Sequence, residues 1–371
     1  MVTDSFKHYI SILFHAITRI FYVFPIDSRK IVFEAYMGEK YACSPRSICE
    51  YIDSMTKKYK LIWVYNKAHL PCAYRQIKRN SLTYFYHMLT AKFVIINSGK
   101  NNLLAFRRSQ VVINTWHGGG AYKRVKILGP KPHYTKNDFF ISSCEKASQF
   151  VIREGQSFYG EILNFGLPRN DMLIHFDFKK AQSVKVELNV RNRKCVLYAP
   201  TFRKDLSRTE FALDYDGLIA SLQKRFGGEW VVLMRCHYHM RPISCRSSVQ
   251  NMIDVTRYPD MQDLLLISDV LITDYSSSIW DYSFLNRPAF LYATDLKEYD
   301  QERSFFVDIR EWPFPLCENN DELTKAIESF DQGKLEQAIK KHHDYMGNFE
   351  TGNASEKTFE FIQQCNGVAK M

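Results

Sequence analysis

Residues 269–285 read DVLITDYSSSIWDYSFL. A short apolar, β-branched run ends at Thr273-Asp274-Tyr275, and three serines then open an amphipathic helical pattern. A strand that feeds directly into a helix, with polar residues at the turn, is one βα unit of an open parallel sheet. Such sheets bind ligands beyond the carboxyl ends of their strands. Serine hydroxyls and unpaired amide N–H groups at a helix start converge on one anion, helped by the helix dipole. A single serine is enough for a helix cap, so three in a row point further, to a ligand.

The same grammar extends outward in both directions. Apolar runs at 30–35, 60–65, 92–97, 110–115 and 138–143 predict one series of strands. Runs at 194–199, 230–235, 252–256, 269–273 and 289–293 predict a second. Nearly continuous apolar runs suit strands covered on both faces. Helical patterns at 45–57, 145–154, 215–226 and 321–330 lie between them. The fold class is therefore α/β: two Rossmann-like, doubly wound domains facing a central cleft. Gly166, Pro168 and a charged stretch place the boundary near 165–192. The expected division is a helix over 1–28, an acceptor-side domain over 29–175, and a donor-binding domain with terminal helices over 176–371.

Composition narrows the function. The chain has 371 residues, enough for two cores, with 46% hydrophobic and 24% charged residues, which excludes disorder, collagen and coiled coil. A formal charge of +10 favours anionic partners: phosphate-rich substrates, nucleic acid or an anionic membrane face. Nine scattered cysteines, none in a Cys-x-x-Cys pair, read as free thiols in a reducing compartment. No cleavage pattern for a signal peptide follows the first apolar stretch. In residues 5–24, the polar positions Lys7, His8, Ser11, His15, Thr18, Arg19 and Tyr22 recur at helical spacing and leave a wide apolar face. The uncharged interval is too short to span a bilayer. It fits either an in-plane membrane helix or a helix packed on its own domain.

Three further segments carry chemistry at strand ends. In NTWHGGGAYKRVK (114–126) a strand runs through Trp116-His117 into Gly118, Gly119 and Gly120, then a basic stretch. Glycines there permit close backbone approach to a ligand or a tight turn. In YAPTFRKD (198–205) Pro200 breaks the strand before Thr201, Arg203 and Lys204. In LMRCHYH (233–239) Arg235, His237 and His239 share one face and suit phosphate. A metal pair at 237 and 239 lacks a carboxylate to complete it.

With WHGGG, APTFR, RCHYH and the long run from Thr273 to Asp308 in view, the chain resembles the CDP-glycerol glycerophosphotransferases, bacterial enzymes that prime and polymerise teichoic acids and related capsular polymers. KIVFEAYMGEKYACSPRSICEYI, FGLPRND and GNASEKTFEFI extend the likeness over roughly 30–362. The resemblance implies GT-B architecture, with the donor held mainly by the second domain. It implies that His117 and His237 are catalytic. It also implies that Arg169, Pro200, Thr201, Arg235, Ser276, Ser277 and Asp281 hold a CDP-linked donor. Trp116, Gly118 and Arg203 join them as substrate-binding candidates from their positions at strand ends. Many members carry Thr-Pro after Trp-His-Gly, where this chain has Gly119-Gly120.

The expected reaction moves glycerol phosphate, or a related alditol phosphate such as ribitol phosphate, from a CDP-alditol to a hydroxyl of a polyprenyl-linked glycan or growing polymer, releasing CMP. His117 is the expected base, because an ordinary imidazole titrates near neutrality. No metal, cofactor or nucleic acid is expected, and the place expected is the cytoplasmic face of the bacterial membrane. The rivals are a nucleotide-sugar glycosyltransferase or epimerase on the same architecture, and a non-catalytic polyanion binder. No nucleic-acid motif supports the last.

Overall fold

The computed structural model describes residues 14–124, 134–201, 213–236, 251–302 and 305–367. Their contacts divide into two compact units. One is built from the chain up to Gly118, the stretch ending at Asp171, and the chain from Asn348 onward. The other is built from Gly119–Arg124 and Met172–Gly347.

The first unit holds a seven-stranded parallel sheet: β1 (Asp27–Glu34), β2 (Lys60–Tyr65), β3 (Arg75–Lys78), β4 (Ala91–Ile96), β5 (Val111–Asn114), β6 (Asp138–Ile141) and β7 (Glu161–Leu163), in the order β3-β2-β1-β4-β5-β6-β7. Alternation along each strand divides the apolar residues between two faces. Ile31 and Phe33 pair in register with Phe93 and Ile95 and, with Trp63 and Ile113, fill the core on one side. Val32, Val94 and Val112 fill the other, under the helix Leu82–Thr90. The second unit holds six parallel strands: β8 (Lys194–Ala199), β9 (Trp230–Met234), β10 (Met252–Asp254), β11 (Val270–Thr273), β12 (Ala289–Tyr292) and β13 (Leu316–Cys317), in the order β10-β9-β8-β11-β12-β13. That is the Rossmann order, which reverses between β8 and β11.

Three short strands, β3, β7 and β13, lie beyond those expected, and each is the edge of its sheet. The helix expected over 145–154 forms as a wide π-type turn, Ala147–Gly155.

The terminal helix differs from its expected place in the second domain. Ala354–Gly367 belongs to the first unit, where Phe359 and Ile362 enter the same core as Ile31 and Phe33. Burial of two such side chains contributes roughly 1.5–3 kcal/mol each. The Asp171 carboxylate fixes the start of this helix, accepting from the N–H groups of Ala354 at 3.0 Å and Ser355 at 2.8 Å.

Of the amino-terminal helix, residues 5–13 lie outside the described residues. Residues 14–18 are helical, and Arg19–Val23 continue as a 3-10 turn. Thr18 and Tyr22, expected on the outward polar face, bond to the first unit instead, Thr18 buried and Tyr22 still exposed. The Thr18 hydroxyl donates to the Leu103 carbonyl (3.4 Å) and Tyr22 Oη to the Ala105 carbonyl (2.6 Å). Phe21 packs on the core, while Ile17, Ile20, Val23 and Phe24 are exposed.

Candidate active site

In the first unit, the carboxyl ends of β4 and β5 build the setting of His117. Asn114, the last residue of β5, accepts from the Trp116 N–H at 2.8 Å and donates to the Ser98 carbonyl at 2.9 Å. This holds Trp116 in the left-handed region, at φ +52°. A non-glycine residue there is strained, and such strain clusters at functional sites. Tyr36, Met37 and Cys43, after β1, share the feature.

His117 Nδ1 lies 2.8 Å from the carbonyl oxygen of Asn97. A carbonyl only accepts, so Nδ1 carries the proton, and the neutral ring keeps its lone pair on Nε2. Trp116 and Tyr36 flank the ring at 4.4 and 5.9 Å between centroids. The residue keeps an exposed edge. Even so, the chain packed around it withholds water from a charged imidazole and lowers its pKa. The Asn97 bond opposes that shift, and the Arg169 charge adds to it. Neutral imidazole is the state a base needs.

Arg169 stands in this unit with His117, inside the range expected for the first domain. It lies buried on the turn Pro168–Asn170, its N–H on Ser44 Oγ at 3.4 Å and its Nη1 on Cys43 Sγ at 3.5 Å. Glu350 locks the turn, accepting from the Leu167 N–H (2.8 Å) and from Asn170 Nδ2 (3.0 Å).

In the second unit, Pro200 and Thr201 follow β8 and Asp274 follows β11, the two strands at which the sheet order reverses. The Asp274 carboxylate takes the Thr201 N–H on both oxygens, at 2.9 and 3.0 Å, and the Tyr275 N–H at 2.5 Å. The three serines have separate roles. Ser276 Oγ accepts from the N–H and the hydroxyl of Ser278, at 3.3 and 2.9 Å, and so serves as a local cap. Ser277, at the N-cap position of Ser278–Ser283, makes no capping bond. Asp281 is buried and accepts from Gln262 Nε2 at 2.9 Å. Arg235 extends the β8–β9 pairing with its N–H on the Tyr198 carbonyl, and its guanidinium holds the Tyr258 carbonyl at 2.9 Å. His237, His239 and Arg203 lie outside the described residues. Among the described residues, no three His, Cys, Asp or Glu side chains converge as a metal set.

The glycine loop passes from one unit to the other at Gly118–Gly119. Within the second unit, a Cβ on Gly119 would stand 2.5 Å from Trp280 Cδ1 and 2.8 Å from Asp281 Oδ1. Gly120, at φ +61°, would meet the Tyr122 ring at 2.8 Å. The neighbour that demands glycine at these two positions is thus Trp280 with its surroundings. Beside Trp280, Tyr122 Oη meets His342 Nε2 at 3.0 Å and Ser283 Oγ meets His343 Nε2 at 2.7 Å.

Both imidazoles are pushed down to about 4, by burial first; the neighbouring His343 adds to the effect at His342, while Asp344 opposes it at His343. In the unfolded chain they titrate near ~6.5. Between those values the unfolded state binds more protons, so stability is full above the unfolded pKa and is lost as pH falls towards about 4. A loss on the order of 3 kcal/mol per imidazole is expected between pH 7 and 4, and a His342→Gln/His343→Gln variant should show a flatter dependence in thermal melts. Equal pH slopes for the two proteins would remove the pair from this role.

The residue pattern does not single out Asn97, Asp274 or Gln262 as site residues. Asn97 and Asp274 each follow the last residue of a strand, the one signal the sequence carries for them.

The sequence matches the family described as CDP-Glycerol:Poly(glycerophosphate) glycerophosphotransferase over residues 16–364. The chain belongs to this family. It is similar to a teichoic acid poly(glycerol phosphate) polymerase of Staphylococcus epidermidis, 30% identical over 91% of this chain and 51% of that protein. The chain thus spans about half the length of that relative. A teichoic acid ribitol-phosphate primase of Bacillus spizizenii is 29% identical over 75% of this chain and 76% of its own length. A solved structure of a histidine-to-alanine variant of the wall teichoic acid polymerase TagF is covered to 97% and covers 99% of this chain, with a TM-score of 0.82 and 27% identity. Another structure of that polymerase, a histidine-to-asparagine variant soaked with CDPG, matches at 0.82 and 26%. The family's fold is therefore the GT-B type, with two Rossmann-like parallel sheets.

Proposed function

We propose that the chain transfers glycerol phosphate from CDP-glycerol to a hydroxyl of a teichoic-acid-like polymer or its lipid-linked precursor. The observation that carries this reading is the orientation of His117, with Nδ1–H on the Asn97 carbonyl and Nε2 left basic. Nε2 takes the proton of the attacking hydroxyl. Its oxygen bonds to the alditol-bearing phosphorus, the bond from that phosphorus to the bridging oxygen breaks, and CMP leaves with that oxygen. Positive charge and N–H donors steady the phosphoryl group in flight. Arg169, Arg235, His237, the Pro200–Thr201 turn and Ser277 are assigned to that work. Asp281 holds a donor hydroxyl, with Trp116, Gly118 and Arg203 completing the substrate contacts.

Ribitol phosphate is the second reading, supported by the similarity to a ribitol-phosphate primase. Incubation with CDP-glycerol, CDP-ribitol and nucleotide sugars, with a soluble acceptor present, separates the readings by product. A phosphodiester with CMP release supports an alditol phosphate transferase and identifies the alditol. A glycosidic product with nucleoside diphosphate release overturns it.

No helix among the described residues is long and apolar enough to cross a membrane. The exposed Ile17, Ile20, Val23 and Phe24 favour peripheral attachment to an anionic, cytoplasmic membrane face, where a polyprenyl-linked acceptor is confined. Because Thr18, Phe21 and Tyr22 anchor this segment to its unit, substitution tests the idea more cleanly than deletion. Ile20→Asp/Val23→Asp should lower pelleting with anionic vesicles several-fold and leave the melting temperature within about 2 °C. Unchanged pelleting would place the membrane contact elsewhere.

A further inference from the structure

The side chain of Asn97, immediately after β4, is fully buried, and its Nδ2 has no hydrogen-bond partner among the described residues. Which end of the carboxamide is which follows from its neighbours. The Tyr36 backbone N–H can only donate, and it donates to Oδ1 at 2.7 Å. The Ser98 hydroxyl donates to the same oxygen at 3.2 Å. Flipping the amide would set N–H against N–H, so the donor end is the free end. Buried donors in native proteins are almost always paired.

The place of this donor gives it meaning. β1 and β4 are the strands at which the order of the first sheet reverses, the point where open α/β sheets take ligands. The main-chain carbonyl of the same residue holds His117 Nδ1. Arg169 contributes positive charge at that imidazole. The left-handed residues Tyr36, Met37 and Trp116 surround the same strand ends. One residue thus orients the imidazole through its backbone and presents an unused donor through its side chain.

We propose that the Asn97 carboxamide is a substrate-binding group whose Nδ2 donates to a phosphate oxygen at the His117 site. The inference rests on the phosphotransferase reading for its reaction, but not for its ligand chemistry. Both the incoming donor and a polymer end carry phosphate oxygens, so either substrate supplies the partner. The Tyr36 N–H and the His117 ring both bond to Asn97, and His117 and Met37, next to Tyr36, are exposed, so this end of the strands borders solvent.

Asn97→Asp keeps an oxygen for the Tyr36 N–H and keeps the shape, while turning the donor into an acceptor. With melting unchanged, kcat/KM should fall at least 100-fold. A rise of tenfold or more in the KM for a glycerol-phosphate-ended acceptor, with the CDP-glycerol KM held, identifies the acceptor phosphate. The reverse pattern identifies the donor, and a fall in kcat alone identifies the phosphoryl group in transfer. Should Asn97→Asp fail to fold, Asn97→Ser takes its place. A folded variant with kcat and both KM values within twofold of wild type overturns the proposal. If the wild-type protein transfers no alditol phosphate, the functional reading fails first. The side-chain amide signal of Asn97 in asparagine-labelled protein, titrated with glycerol 3-phosphate, then decides: a saturable shift supports the inference, and none overturns it.

Discussion

His117→Ala should lower turnover by about 10²–10⁴, the usual worth of a positioned general base, and leave CDP affinity within a few-fold. The two effects separate because the proposed base is assigned to the acceptor hydroxyl, whereas the nucleotide is assigned to the strand ends of the second unit. The pH profile supplies an independent check. Burial lowers the His117 pKa, with Arg169 acting in the same direction. The basic form therefore persists below the ordinary histidine range, and the acid limb of kcat/KM should lie below pH ~6.5 and vanish in the alanine variant. Turnover within threefold of wild type at saturating substrates would take His117 out of the chemistry.

How far the residue pattern carried depends on what each feature needs. Central strands such as Lys60–Tyr65 and Trp230–Met234 are legible because burial on both faces demands unbroken apolar runs. Arg75–Lys78, with only Ile77 buried, and the two-residue Leu316–Cys317 fall below that signal, since an edge strand needs few apolar residues. The terminal helix shows an apolar stripe in the sequence, but a stripe does not say which core receives it. Phe359 and Ile362 close on Phe33, more than 300 positions away. The reversal at Thr18 and Tyr22 has a similar cause, because their partners are the carbonyls of Leu103 and Ala105.

The candidate site divides along the same line. His117 and the Ser276–Ser277 helix start stand out because a strand, a polar break and a helix start are contiguous in the chain. Asn97 and Gln262 do not, because their roles are pairings across the fold: one carbonyl beneath an imidazole, one amide on the Asp281 carboxylate. Even the glycines illustrate it. Three in a row announce close approach, and only the packing reveals that Trp280 is what Gly119 approaches.

Gly119→Thr should cut kcat/KM by about 100-fold or more while the protein still folds. The added Cβ would stand 2.5 Å from Trp280 Cδ1 and 2.8 Å from Asp281 Oδ1, inside any real contact. Trp280 is fully buried, its ring centroid 5.1 Å from a tilted His343 and 5.5 Å from an edge-on Phe284, so it has little room to retreat. The strain, typically 1–3 kcal/mol for overpacking, then falls on the loop and on Asp281. If Asp281 holds substrate as proposed, a displacement on the order of 1 Å at its carboxylate costs ~10²-fold in rate. Shrinking the tryptophan should relieve it: Gly119→Thr/Trp280→Ala is expected to recover at least tenfold over Gly119→Thr alone. A double-mutant cycle reads that coupling directly, because contacting residues are non-additive. Additive losses in folded proteins would show that glycine at 119 serves something other than the approach to Trp280. A Gly119→Thr enzyme with wild-type kinetics would show that the loop yields without disturbing Asp281.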